Sequence, residues 1–217
     1  MKPIYVKNGF TGGHYAFKTE KSDKPFVNNM RECKSIDILE TDIVADIGAY
    51  VGEYSIYALN KGAKKVLSYE PTPETFDVLK MNINSLKNKD KSKIYNAAVV
   101  GDNSKSINLF ISKGIGVTNS IVKERGKVGS IEIEAIKYEK ALQDATIVKI
   151  DVEGAEYNFN ILQPNLRAII LEFHPLGNDW KDRAIKIMNK IESSGFKNVI
   201  KPTFKSGWNL TGSWIKK

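Results

Sequence analysis

The chain has 217 residues, 41% hydrophobic and 27% charged, ordinary values for a globular protein with one proper core. Its formal net charge of +8 comes mostly from scattered lysines, with a local density at Lys87, Lys89, Lys91 and Lys93; this reads first as a solvated surface and second as attraction to an anionic partner. A lone cysteine, Cys33, excludes an internal disulfide, no Cys/His cluster points to zinc, and neither a membrane-length apolar run nor a secretory leader is present, so a single cytoplasmic domain over 1–217 is expected.

Residues 1–40 predict a small N-terminal cap. Ile4–Val6 and His14–Phe17 read as short strands around a glycine turn, and Phe26–Leu39 has patchy helical spacing. From 41 onward the pattern alternates between strand and helix. Ile43–Ile47 is an apolar strand, Val51–Lys61 a helix stopped at Gly62, and Val66–Tyr69 a second strand. A helix starts at Pro71-Thr72-Pro73-Glu74 and carries Phe76, Leu79, Ile83 and Leu86 at helical spacing. Lys93–Val100 is a third strand. Ser106–Ile111 and Ser130–Ala135 then alternate with period two, as an inserted hairpin does. The glycine-rich loop between them has the length of a lid, with Asn119 and Ser120 as candidate contacts. Alternation resumes with a short helix Tyr138–Leu142, a strand Thr146–Ile150 and a helix after Asp151 running through Leu162. A strand Leu166–Phe173, a helix Trp180–Ser193 and a closing pair, Phe196–Ile200 and Trp208–Trp214, complete the chain. The prediction is an α/β fold: a mostly parallel sheet flanked by helices, with an antiparallel C-terminal strand.

The chemistry concentrates at strand ends. Asp46-x-Gly48-x-x-x-Gly52 follows the first strand, and Glu70 closes the second. Glycine lets a ligand lie against the backbone, and a carboxylate at the next strand end suits two vicinal ribose hydroxyls. The spacing lacks the middle glycine of the nicotinamide fingerprint and the lysine of a Walker loop, which leaves a different nucleoside cofactor. Asp151, Glu153, Glu172 and His174 gather at the fourth and fifth strand ends. Helix capping explains one or two of these acids, but not the whole set.

Asp46-Ile47-Gly48-Ala49 with Gly52, Glu70-Pro71, and Lys149-Ile150-Asp151-Val152-Glu153-Gly154-Ala155-Glu156 together resemble the FkbM family of S-adenosyl-L-methionine (SAM)-dependent methyltransferases. Tyr50 stands where that family often has asparagine. The resemblance implies a class I, Rossmann-like fold and O-methylation of a sugar or glycan hydroxyl. It implies that Asp46, Gly48, Ala49 and Gly52 line the methionine end of SAM, that Glu70 holds the ribose, and that Ala97 and Ala98 flank the adenine; Tyr50, within the same turn, is also a candidate cofactor contact. Asp151 would sit near the sulfonium.

Methyl transfer to a hydroxyl gains from a base within reach, and His174 is the first candidate, Asp151 or Glu153 the second. Glu153, Glu172, His174, Asn119 and His14 are the candidate acceptor contacts. Asp151, Glu153 and Glu172 are oxygen donors of the kind Mg²⁺ or Ca²⁺ takes, although no metal ligand is assigned. The basic charge raises methylation of RNA, or of another non-saccharide molecule, as the alternative. The acids at the fourth strand end stand against it, since they repel phosphates and replace the Asn/Asp-Pro-Pro-Tyr string of amino-methylating enzymes. Tyr57-x-x-x-Lys61 matches an oxidoreductase pattern but lies in the first helix, where it serves no hydride chemistry. A place within a larger glycan-synthesis protein is left open.

Overall fold

Short apolar strands separated by amphipathic helices bury both faces only by pairing side by side between two helical layers. The computed structural model, which describes residues 4–7, 14–17, 33–112, 119–122, 127–202 and 210–216, has this arrangement. β1 (Ile4–Lys7) and β2 (His14–Phe17) form a separate antiparallel pair, with His14 opposite Lys7. The central sheet contains β3 (Ile43–Ile47), β4 (Lys65–Tyr69), β5 (Ser92–Tyr95), β9 (Ile147–Ile150), β10 (Ala168–Phe173), β11 (Phe196–Ile200) and β12 (Leu210–Lys216). Its order is β11-β12-β10-β9-β3-β4-β5. The pairs from β5 through β10 are parallel, and β12 runs antiparallel to both β10 and β11. This is the expected Rossmann-like sheet with an antiparallel strand near its C-terminus.

Alternate residues of the central strands are buried against opposite layers. Ala45, Ile47, Val148, Ile150, Ile169 and Leu171 face one layer, built on α3 (Tyr138–Leu142) and α4 (Trp180–Ser193). Val44, Val66, Ile147, Ala168 and Ile170 face the other, built on α1 (Glu53–Asn60) and α2 (Pro73–Asn84). Among the described residues no helix is long and apolar enough to cross a membrane.

The inserted hairpin is present as β7 (Ser106–Ser112) and β8 (Lys127–Lys137), antiparallel to each other. The predicted third strand is two strands. β5 stays in the central sheet, and β6 (Ala98–Val100) leaves it to pair with β8. Asn96 causes the break: its side-chain amide donates to the Glu70 and Pro71 carbonyls at 2.9 and 3.2 Å and pins the chain where the two sheets part. The helix predicted to follow the Asp151-to-Glu156 string and run through Leu162 is only a 3-10 turn, Ala155–Asn158. Phe159 and Ile161 follow it and both bury in the core beside Tyr138, which holds this stretch down. Most of the predicted lid, and 26–32 of the stretch predicted over 26–39, lie outside the described residues.

The parallel strands run outward from β3 to β5 on one side and from β9 to β10 on the other. The order therefore reverses between β3 and β9, and a crevice opens there beyond the carboxyl ends, where such sheets bind ligands.

Candidate active site

The turn after β3 owes its shape to glycine. Gly48 has φ +77°, and a Cβ there would stand 1.7 Å from the Asp151 carbonyl oxygen. The turn thus lies directly on the end of β9, and no other residue fits. The N–H groups of Gly48 and Ala49 both donate to the Tyr69 carbonyl, at 3.0 and 2.9 Å. Tyr50, at φ +51°, donates its N–H to Glu70 Oε2 at 3.0 Å. The first N–H groups of the loop are therefore spent on β4, and what the turn offers a ligand is its shape and the carboxylates around it.

Asp46 is fully buried. Ser55 Oγ donates to its Oδ2 at 2.6 Å, while Oδ1 has no hydrogen-bond partner. Lys149, opposite Asp46 in the β3–β9 register, brings its ammonium to 3.5 Å from Oδ1 and donates to the Gly48 carbonyl at 2.7 Å. Glu53 opens α1, and its buried Oε1 likewise has no hydrogen-bond partner. Burial holds the Glu53 carboxyl above its usual range, with Lys149 opposing and Asp46 reinforcing. Asp46 Oδ1 thus already faces the Lys149 ammonium, and the buried Glu53 Oε1 is the carboxylate oxygen beside the turn that suits a further ammonium group. Glu53 and Lys149 were not singled out from the sequence. Their place depends on the β3–β9 register and on how α1 sits, which spacing within one motif does not encode.

Glu70 is 6% exposed, and Thr72 N–H donates to its Oε1 at 2.8 Å. Burial pushes its carboxyl up to about 7, against the pull of the Thr72 and Tyr50 hydrogen bonds and of Lys149. Ala97 and Ala98 are both buried, and Ala98 packs with Leu109 and Ile133 in the core of the small sheet. Asn119 is buried too and donates to Thr72 Oγ1 at 3.3 Å, while Ser120 Oγ donates to the Glu153 carbonyl at 2.7 Å. This short segment ties the start of α2 to the loop after β9. His14 belongs to the separate β1–β2 pair, and its side chain lies outside the described residues.

The acidic rim assembles around His174. Glu156 is fully buried and clamps the loop after β9 to the end of β10. Its Oε2 accepts from Gly154 N–H at 2.9 Å, its Oε1 accepts from His174 N–H at 2.7 Å, and Oε1 lies 3.3 Å from His174 Nδ1. On the other side of the ring, Nε2 faces Glu153 at 3.5 Å, Asp151 at 3.7 Å and Glu172 at 4.0 Å. Burial favours the neutral ring, but the Glu153 and Glu156 carboxylates outweigh it and push its pKa up to about 11. Glu153 holds φ +53°, which costs a non-glycine residue on the order of 1–3 kcal/mol. Its side chain keeps 31% of its surface exposed, against 7% for His174. The fold thus brings Asp151, Glu153 and Glu172 to one side of His174, and Glu156, the third acid of the same sequence string, clamps the ring from the other.

The family model described as the methyltransferase FkbM domain matches residues 46–198. No curated protein sequence matches the chain. Among solved structures, the FkbM methyltransferase of Methylobacillus flagellatus KT aligns with TM-score 0.56 at 13% identity, over 88% of this chain but only 46% of that one. The precorrin-6y C5,15-methyltransferase of Geobacter metallireducens GS-15 aligns with TM-score 0.54 at 13% identity, over 94% of each chain. TYW2 of P. horikoshii, solved with MeSAdo, aligns with TM-score 0.55 at 15% identity, over 95% of this chain and 70% of that one. At these identities the likeness is one of fold.

Proposed function

Because this chain belongs to the family of FkbM methyltransferase domains, we propose that it transfers a methyl group from S-adenosyl-L-methionine to a hydroxyl of a sugar or glycan. The contact of the Asp151 carbonyl with the Gly48 turn carries the reading, because it sets the acidic rim beside the cofactor turn.

The residues around the turn fit the cofactor. The carboxylates of Glu53 and Asp46 would receive its ammonium, Gly48 and Ala49 its methionine chain, Lys149, which already pairs with Asp46, its carboxylate, and Glu70 its ribose hydroxyls. Ala97 remains the candidate wall for the adenine, beside the Asn96 anchor. When bound, the cofactor supplies an electrophilic methyl on a sulfonium, so the protein's task is mainly to position and desolvate. Glu153 takes the proton of the acceptor hydroxyl. It is the rim carboxylate that combines exposure with a strained backbone, whereas His174 is enclosed by carboxylates on both ring edges. Asp151 and Glu172 accept hydrogen bonds from neighbouring hydroxyls of the acceptor. A rim of carboxylates suits the neutral, hydroxyl-rich face of a saccharide and repels a phosphodiester.

A panel of saccharides, nucleotide-sugars and glycans, with RNA transcripts alongside, is to be incubated with isotopically labelled SAM and read by mass. Methyl gain on a saccharide oxygen is the expected result. Methylation confined to RNA would replace the acceptor class with the one that the basic surface favours.

A further inference from the structure

His174 Nε2 poses a problem that the methyl-transfer reading does not solve. The residue is 5% exposed, and this nitrogen is buried without a hydrogen-bond partner. It is nonetheless aimed at Asp151, Glu153 and Glu172, whose oxygens stand at 3.7, 3.5 and 4.0 Å. A buried polar atom is normally satisfied, and these separations are long for hydrogen bonds. The ligand atoms of Asp151, Glu172 and His174 lie within 4.8 Å of one another. Donors that sit about 2.1 Å from a shared ion stand on the order of 3–4 Å apart, so the spacing that is too long for a hydrogen bond is near what an ion between them requires. Charge argues the same way. Among the described residues, the carboxylates of Asp151, Glu153, Glu156 and Glu172 gather about His174, with Lys149 beside Asp151 and shared with Asp46. Glu156 completes the picture as the outer partner, holding the ring from Nδ1 so that Nε2 points inward, as carboxylates behind metal-bound histidines do.

We propose that Asp151, Glu172 and His174 form a site for a divalent transition-metal ion at the rim. One imidazole with two carboxylates selects Mn²⁺, Fe²⁺ or Zn²⁺ over Mg²⁺ and Ca²⁺, which prefer all-oxygen shells. Resting on the proposed methyl transfer, the ion's work is to hold the acceptor hydroxyl. The oxygen binds the ion, its proton goes to Glu153, a C–O bond forms as the C–S bond breaks, and the sulfur keeps the electron pair as the neutral thioether.

The test is metal binding by the full chain, stripped with a chelator and titrated with Mn²⁺ while free Mn²⁺ is followed by electron paramagnetic resonance. One Mn²⁺ per chain at micromolar affinity is expected. Both Glu172→Gln and His174→Gln should weaken it at least tenfold, with S-adenosylhomocysteine affinity unchanged by Glu172→Gln. No Mn²⁺ binding by the wild type, or equal binding by a folded Glu172→Gln protein, would overturn the proposal. Because this readout needs no acceptor, Mn²⁺ binding without saccharide methylation would sink the acceptor assignment alone, and methylation at full rate in chelator would sink the metal alone.

Discussion

Glu70 shows how one side chain couples burial to ligand choice. In the proposed site ribose hydroxyls would donate to this carboxylate, so the cofactor would select the ionised form, while burial pushes the free carboxyl up to about 7. Affinity for S-adenosylhomocysteine should therefore rise as pH increases from about 5.5 and level off near about 8. Glu70→Gln should weaken binding by about tenfold and flatten this profile, as read by calorimetry across pH. The same shift has a cost in the free protein: the folded state holds this proton more tightly than the unfolded chain, so the contribution is present below the ordinary value of 4.5 and is lost as pH rises toward about 7. At Glu153 the positive φ sets stability against function. Glu153→Asn keeps a residue that tolerates this backbone but removes the carboxylate, so the melting temperature should not fall while turnover drops about 100-fold or more. Gly48→Ala, by contrast, drives a methyl into the Asp151 carbonyl and should lose both ligand binding and several degrees of melting temperature. Asp46, Gly48 and Glu70 were legible in the sequence because their spacing follows from one strand-turn-helix unit. Glu156 was not: its partner is His174, 18 residues along on another strand, and only the fold makes them neighbours.

At the scale of elements, the edge of the sheet opposite the site is held by Asp42. Arg167 Nε donates to its Oδ1 at 2.7 Å, Arg167 Nη2 reaches its Oδ2, Thr146 Oγ1 donates to Oδ1 at 2.8 Å, and Leu39 N–H donates to Oδ2 at 2.7 Å. This joins the entry to β3 with the starts of β9 and β10. Burial works against the Asp42 charge, but these partners outweigh it and hold the carboxyl below its usual value, so its contribution is lost as acid is added. Asp42→Ala should cost about 2 kcal/mol, the half-exposed setting of Arg167 tempering the loss. A lower urea midpoint with unchanged S-adenosylhomocysteine affinity at low denaturant is the expected pattern. The elements that differ from the sequence reading share a cause. The strand predicted over 93–100 and the helix predicted after Asp151 both have the right local pattern, but Asn96 anchors the first to the Glu70 carbonyl and core burial of Phe159 and Ile161 ends the second. Local propensity is a weak prior where a tertiary contact competes with it.

For the molecule as a whole, the order of strands matters more than any one of them. Periodicity made each central strand visible, and the alternation of strand and helix implied the parallel sheet, but the β3–β9 adjacency that builds the site is a long-range fact. It places Lys149 against Asp46 and the Asp151 carbonyl against Gly48, joining the cofactor turn to the rim across some hundred residues. Against a net charge of +8 for the whole chain, the proposed site gathers Asp151, Glu153, Glu156 and Glu172. The proposed activity requires a SAM-type ligand to occupy that site. Calorimetric titration of the purified chain with S-adenosylhomocysteine, and separately with NAD⁺, tests it most directly. One S-adenosylhomocysteine per chain, weakened by Glu70→Gln, and no heat from NAD⁺ is the predicted result; no heat from S-adenosylhomocysteine, or equal affinity in a folded Glu70→Gln protein, would contradict it.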